Sequence, residues 1–202
     1  MPGLWGKEFQ MNLKSQIKPR KSWPYNFPMQ DRNLIPIISQ KELEGKVKYL
    51  GKKISSDYKD KNPILVGILK GSFIFLADLV RYLTIPHEVD FISVGSYGSS
   101  TQASGVVRLI KDLSVNIEGR NVVIIEDIVD TGLTLNYIRD NLLSRKPKSV
   151  SILTLLEKKQ RRPQRIPIKY VGFKIPSDFV VGYGLDYDEK YRNLPYIAKL
   201  KF

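Results

Sequence analysis

The run NVVIIE, residues 121–126, constrains this chain more than any other stretch. Four consecutive β-branched aliphatics offer no polar face to water, so they fit a central strand of a parallel sheet that is covered on both sides. Parallel neighbours need long crossovers, and helical segments are present to supply them. The run PILVGILKG, residues 63–71, reads as a second strand and leads directly into SFIFLADLVRYL, which reads as a helix. Leu135, Ile138 and Leu142 recur at helical spacing after residue 132, and KSVSILTLLEKK, residues 148–159, is a further strand. Upstream, Ser39 followed by Glu42 forms a capping-box pattern, with Leu43, Val47, Leu50 and Ile54 on one helical face. EVDFISVGSYG and GVVRLIKDL are strand-like runs on either side of SSTQAS, a small polar loop. Strands alternating with helices imply an α/β fold with a mainly parallel central sheet and right-handed crossovers. At 202 residues and 42% hydrophobic content, one such domain is sufficient.

Residues 1–33 contain four prolines and show no sustained period, so they read as an irregular basic extension before a domain at 34–202. The internal Met11 leaves a later start open. The net charge is +13, but residues 1–33 hold six Lys/Arg against two acids and residues 145–169 hold nine against one. The remainder is near neutral. Such stretches serve as solvated surface or as contacts to phosphorylated ligands or nucleic acid. No cysteine is present and His87 is the single histidine, which excludes disulfides, thiol nucleophiles and Cys- or His-built metal centres. No window is long and apolar enough for a spanning helix, and the N-terminus lacks the apolar core of a secretory signal. A cytoplasmic location without membrane association is expected.

The central strand ends in three carboxylates, Glu126, Asp127 and Asp130, where burial is costly unless something binds them. In an open parallel sheet ligands bind beyond the carboxyl ends of the strands. Thr131, Gly132 and Thr134 follow, offering hydroxyls, a tight turn and the amides of a starting helix, which together suit a phosphate monoester. Anion receptors beside anions suit a ligand with a phosphate at one end and hydroxyls plus Mg²⁺ further along, as in a sugar phosphate. Helix capping is an alternative reading for Asp130 alone. The chain has no G-x-x-x-x-G-K-[ST] loop and no G-x-G-x-x-G after a strand, so kinase, GTPase and dinucleotide readings lose their main support.

The segment VVIIEDIVDTG closely resembles the phosphoribosyl-diphosphate (PRPP) motif of type I phosphoribosyltransferases. With LVGILKGSFIFLADLVRYL, VDFISVGSYG, LLEKK and FVVGYGLDYDEKYRNLPYIAKL in the same order, residues 34–202 resemble the hypoxanthine (guanine) phosphoribosyltransferases of that family. The resemblance implies the type I fold, with a small hood and a flexible lid loop beside the sheet. It implies purine salvage: a 6-oxopurine displaces pyrophosphate from C1 of PRPP through an oxocarbenium-like transition state, giving IMP or GMP, with Mg²⁺ required.

By resemblance, Glu126 and Asp127 hold the ribose hydroxyls and the metal. Asp130 serves purine N7 as general acid/base, its pKa raised by the neighbouring carboxylates. Thr131, Gly132 and Thr134 form the 5′-phosphate loop. Position 133 is Leu where some members carry Lys, which shifts phosphate binding toward backbone amides. Lys70 and Gly71 form the pyrophosphate loop, often built with a non-proline cis peptide, and Arg192 clamps pyrophosphate. Ser96 and Tyr97 open the lid, although SSTQAS by itself reads equally as a plain hairpin loop. Lys158 donates to the purine 6-oxo group, which favours 6-oxopurines over adenine. Phe179 stacks on the base with the Val180 backbone at its edge; by pattern alone Phe179 reads equally as a core strand residue. Asp186 lies on the purine-binding side and serves the metal, where pattern alone suggests only a surface loop. A homodimer or homotetramer is implied. Other readings are a PRPP-sensing regulator that binds RNA or DNA, and a phosphoribosyltransferase for another purine such as xanthine.

Overall fold

A computed structural model describes residues 33–96, 107–158 and 166–201. In chain order these form β1 (Leu34–Ile38), α1 (Gln40–Asp57), β2 (Ile64–Leu69), α2 (Phe73–Val80), β3 (Glu88–Ser96), β4 (Val107–Lys111), β5 (Asn121–Val129), α3 (Leu133–Leu143), β6 (Ser149–Lys158), β7 (Tyr170–Ile175), β8 (Val180–Val181) and β9 (Ile197–Leu200). Residues 1–32 and the loop around Tyr97, expected as an extension and a lid, lie outside the described residues.

The aliphatic run of β5 lies where its composition demands. It is flanked by β2 and β6 in a six-stranded sheet of order β4-β3-β2-β5-β6-β7, and Val122 to Ile125 are completely buried. All neighbours are parallel except β3 and β4, which form an antiparallel hairpin at one edge. Successive strand residues face opposite ways, so β5 feeds two cores. Val123 and Ile125 pack in one core with Leu65 of β2 and with α1 and α2. Val122 and Ile124 pack in the other with Ile64 and Val66 of β2 and with Leu135, Ile138 and Leu142 of α3.

Helix α1 begins as its sequence predicts. The Ser39 hydroxyl accepts from the Glu42 N–H at 3.3 Å, and the Glu42 carboxylate accepts from the Ser39 N–H at 2.8 Å. Leu43, Val47, Leu50 and Ile54 are all buried. A smaller antiparallel sheet, β1-β9-β8, joins the two ends of the domain and forms the hood. On β3, the buried Asp90 ties the base of the edge hairpin, accepting from the N–H groups of Phe91, Ser114 and Val115 and from Lys111 Nζ.

The chain leaves β2 through α2 toward β3 on one side, and leaves β5 through α3 toward β6 on the other. Strand order therefore reverses between β2 and β5, which opens a crevice beyond their carboxyl ends.

Candidate active site

A cavity of about 240 Å³ occupies that crevice, lined by Ile68, Leu69, Gly71, Val94, Gly95, Glu126, Asp127 and Thr134. Four of the site residues expected from sequence border it. The floor comes from β5, which runs on to Val129 rather than stopping at the acids, with Glu126 opposite Thr154 and Ile128 opposite Leu156 of β6. Asp and Glu are poor strand formers, and here the neighbouring strands hold them in the ladder.

Both acids are deeply set. Burial, and then the charge of Asp127, push the Glu126 pKa well above the ordinary carboxylate range. Burial likewise raises Asp127 to about 6, against the N–H of Ile128 and the charge of Arg192. Among the described residues, two buried side-chain polar atoms have no hydrogen-bond partner, Glu126 Oε2 and Arg192 Nε, and both belong to the expected site. Native folds rarely leave such atoms unpaired, so their coincidence here points to a ligand.

At the end of β2 the Leu69–Lys70 peptide is cis, and Gly71 lies directly against Asp127. A Cβ built on Gly71 would overlap Asp127 Oδ2. A third segment closes the group. A Cβ on Gly184 would overlap the Gly71 carbonyl, so the loop after β8 packs backbone to backbone on the β2 turn. That loop is firmly built: Tyr183 Oη donates to Asp78 of α2 at 2.7 Å, and the Gly184 N–H donates to the Arg192 carbonyl at 2.9 Å. Arg192 in turn donates through Nη1 to the Gly184 carbonyl at 2.8 Å and pairs through Nη2 with Asp186 at 2.9 Å. Lys70, Gly71, Asp186 and Arg192 are thus assembled beside Asp127, although 115 positions separate Gly71 from Asp186 in the sequence.

On the other side of β5, Thr131 and Gly132 lead into α3. Gly132 takes the N-cap with φ +81°, a conformation that suits glycine, and Thr131 Oγ1 accepts from the Leu133 N–H at 3.4 Å. The capping alternative for Asp130 does not hold, because the cap is Gly132. The Asp130 carboxylate instead accepts from Lys158 Nζ at 2.8 Å, at the end of β6. Its ionic partner is therefore this lysine. Phe179 is exposed at 41%, so it is no core residue, and it meets Tyr187 edge to face with centroids 5.7 Å apart. Val180 begins β8 and is buried. Ser96 ends β3 opposite Val107, and Tyr97 lies outside the described residues.

The orphaned buried carboxylate oxygen of Glu126 and the buried Asp127 carboxylate are hard oxygen donors, which suits Mg²⁺. Among the described residues no three His, Cys, Asp or Glu side chains converge closely enough to hold a metal by themselves. Mg²⁺ would therefore complete its shell with substrate oxygens and water, its usual habit at phosphate sites.

One residue escaped the sequence reading. Glu189 pairs with Lys70 at 2.9 Å and with Arg192 at 3.1 Å, and only the folded loop reveals it.

A parallel sheet with its acidic strand end, phosphate-type turn and switch-point crevice defines a class: residues 37–188 match the family model of the Phosphoribosyl transferase domain. The hypoxanthine-guanine phosphoribosyltransferase of Bacillus subtilis is 51% identical over 165 residues, covering 82% of this chain and 92% of that protein. The enzyme of the same name from Dictyostelium discoideum is 50% identical over 169 residues, covering 82% and 94%. A crystal structure of a Staphylococcus aureus hypoxanthine phosphoribosyltransferase superposes with a TM-score of 0.80 at 48% identity, covering 84% of this chain and 92% of that one. The chain belongs to the hypoxanthine-guanine phosphoribosyltransferase family. Among the described residues no helix is long and apolar enough to cross a membrane.

Proposed function

We propose that this chain is a purine-salvage enzyme that transfers the 5-phosphoribosyl group of PRPP to hypoxanthine and guanine, releasing IMP or GMP and pyrophosphate. The observation that carries this reading is the packing of Gly71 against Asp127 and of Gly184 against Gly71, which draws three distant segments into one crevice. A ligand spanning it meets cations at one end, carboxylates in the middle and a helix N-terminus at the other.

In this reading Thr131, Gly132, Thr134 and the first amides of α3 receive the 5′-phosphate. Glu126 and Asp127 accept hydrogen bonds from the ribose hydroxyls, and with Asp186 they would hold Mg²⁺. Bound there, Mg²⁺ would neutralise charge on the departing pyrophosphate oxygens. Lys70, the Gly71 amide and Arg192 bind the diphosphate, Arg192 through the planar fork that suits phosphoryl oxygens. Phe179 provides a face for the purine, the Val180 backbone contacts its edge, and Lys158 donates to the 6-oxo oxygen. As the base nitrogen bonds to C1 and the C1–O bond to pyrophosphate breaks, Asp130 takes the N7 proton. The Lys158–Asp130 pair thus spans the polar edge of the base, and a 6-oxopurine must part these side chains to use both. Ser96 and Tyr97 open the lid over the reacting centre.

The decisive assay is nucleotide formation from PRPP with hypoxanthine, guanine, xanthine or adenine, with and without Mg²⁺. Mg²⁺-dependent IMP and GMP formation is expected, with little product from adenine. Turnover confined to xanthine or adenine, or no nucleotide at all, refutes the assignment. The enzyme is expected to act in the cytoplasm as a homodimer or homotetramer, and light scattering behind a sizing column reads the assembly directly.

A further inference from the structure

Glu189 has no role in the scheme above, yet its carboxylate holds both cations of the proposed pyrophosphate grip. Oε1 accepts from Lys70 Nζ at 2.9 Å and Oε2 accepts from Arg192 Nη2 at 3.1 Å. A pair of anionic oxygens bridging these two cations is also what a diphosphate would present to them. Hydrogen bonds from Lys70 and then Arg192 hold the Glu189 carboxyl below the usual range, so it is an anion at neutral pH.

The loop fixes this placement. Glu189 has φ +60°, a region that Glu seldom occupies, and it follows Asp188 at +52°. Its N–H is fixed by Asp186 Oδ2 at 3.0 Å, so the left-handed backbone aims the side chain at the two cations. The carboxylate is 64% exposed and Lys70 is 65% exposed, which makes these contacts exchangeable, unlike a sealed structural ion pair.

We propose that Glu189 is an internal counter-anion that a diphosphate must displace from Lys70 and Arg192, and that it thereby limits how tightly PRPP and product pyrophosphate are held. The inference rests on the reading of Lys70 and Arg192 as diphosphate-binding cations. When pyrophosphate leaves, Glu189 recaptures both side chains, so the carboxylate shortens product residence and keeps binding energy from accumulating in the ground state.

The test is calorimetric titration of the full chain with inorganic pyrophosphate and Mg²⁺, comparing wild type with Glu189→Gln, Glu189→Asn and Lys70→Met. Asn tolerates the left-handed backbone and is too short to bridge both cations, so it guards against a folding defect confined to the Gln variant. Both Glu189 variants are expected to bind pyrophosphate about 3- to 10-fold more tightly, as the loss of two exposed competing pairs implies. Their KM for PRPP should fall in parallel, and Lys70→Met should bind pyrophosphate more weakly than wild type. Unchanged or weaker pyrophosphate binding in a Glu189 variant whose circular dichroism matches wild type, with Lys70→Met still weakened, overturns the counter-anion while leaving the grip intact. If Lys70→Met binds like wild type, the grip itself is misassigned and the inference falls with it.

Discussion

Replacing Glu126 by Gln should make the protein more stable while making it a poorer enzyme. The substitution keeps the shape of the side chain and removes a charge that burial and the adjacent Asp127 both disfavour. Glu126 Oε2 is buried with no partner, and an unsatisfied buried polar atom costs about 1–3 kcal/mol, more when charged. The amide is neutral, so the part of that cost that comes from the charge is recovered. For a domain of this size 1 kcal/mol moves the thermal midpoint by about 2–4 °C, so recovery of about 1–2 kcal/mol gives a rise of about 2–8 °C. Thermal unfolding followed by circular dichroism in EDTA, without PRPP, measures the effect. Turnover should fall about 10- to 100-fold, the equivalent of one charged hydrogen bond to the ribose. Adding Mg²⁺ and PRPP should raise the wild-type midpoint more than that of the variant. A variant that melts at or below the wild-type temperature in EDTA would show that the carboxylate is already satisfied and that its isolation is no sign of a ligand.

Three other substitutions examine different parts of the scheme. Asp130→Asn should retain PRPP binding and lose about 10²- to 10⁴-fold in turnover, as removal of a general acid/base does; near-normal turnover refutes that role. Gly71→Ala forces a methyl group into the Asp127 carboxylate, so stability should drop by about 1–3 kcal/mol in urea denaturation while the KM for PRPP rises. An unchanged urea midpoint would mean that the turn is free to move. Asp90 is subject to burial, which raises its pKa, but the N–H groups of Phe91, Ser114 and Val115 and the Lys111 ammonium outweigh it, so the folded value lies below the unfolded one. Its contribution is therefore present above about pH 4 and disappears as the pH falls through the folded value. Asp90→Asn should lose about 1–3 kcal/mol at pH 7 and converge with wild type in acid; a difference independent of pH excludes the carboxylate as the cause.

The central elements were legible because local pattern and burial agree in them. Ser39, Glu42 and the Leu43 to Ile54 stripe specify α1 on their own, and the aliphatics of β5 leave no choice but a covered strand. The continuation of β5 past Glu126 to Val129 was not legible, because strand formation there is imposed by pairing with β6 against local preference. Nor was β1, whose partner β9 lies more than 150 residues away and contributes no local signal. Within the site, the resemblance brought Lys70, Asp186 and Arg192 into view one by one. It could not reveal Glu189, whose significance lies wholly in a left-handed turn that points one more acid of a charged loop at two distant cations. Pattern gave Asp130 two roles, and the pair with Lys158 decided against helix capping.

The backbone contact between Gly184 and Gly71, reinforced by the strut from Tyr183 to Asp78, mounts Lys70 and Arg192 on one block. Under the assignment proposed here, such a block works as a socket with a rigid base. A single carboxylate already reaches both charges, so an orthophosphate can bridge them as well, and a diphosphate gains over it only through its second phosphoryl group. Competition between orthophosphate and pyrophosphate for the socket would measure that gain.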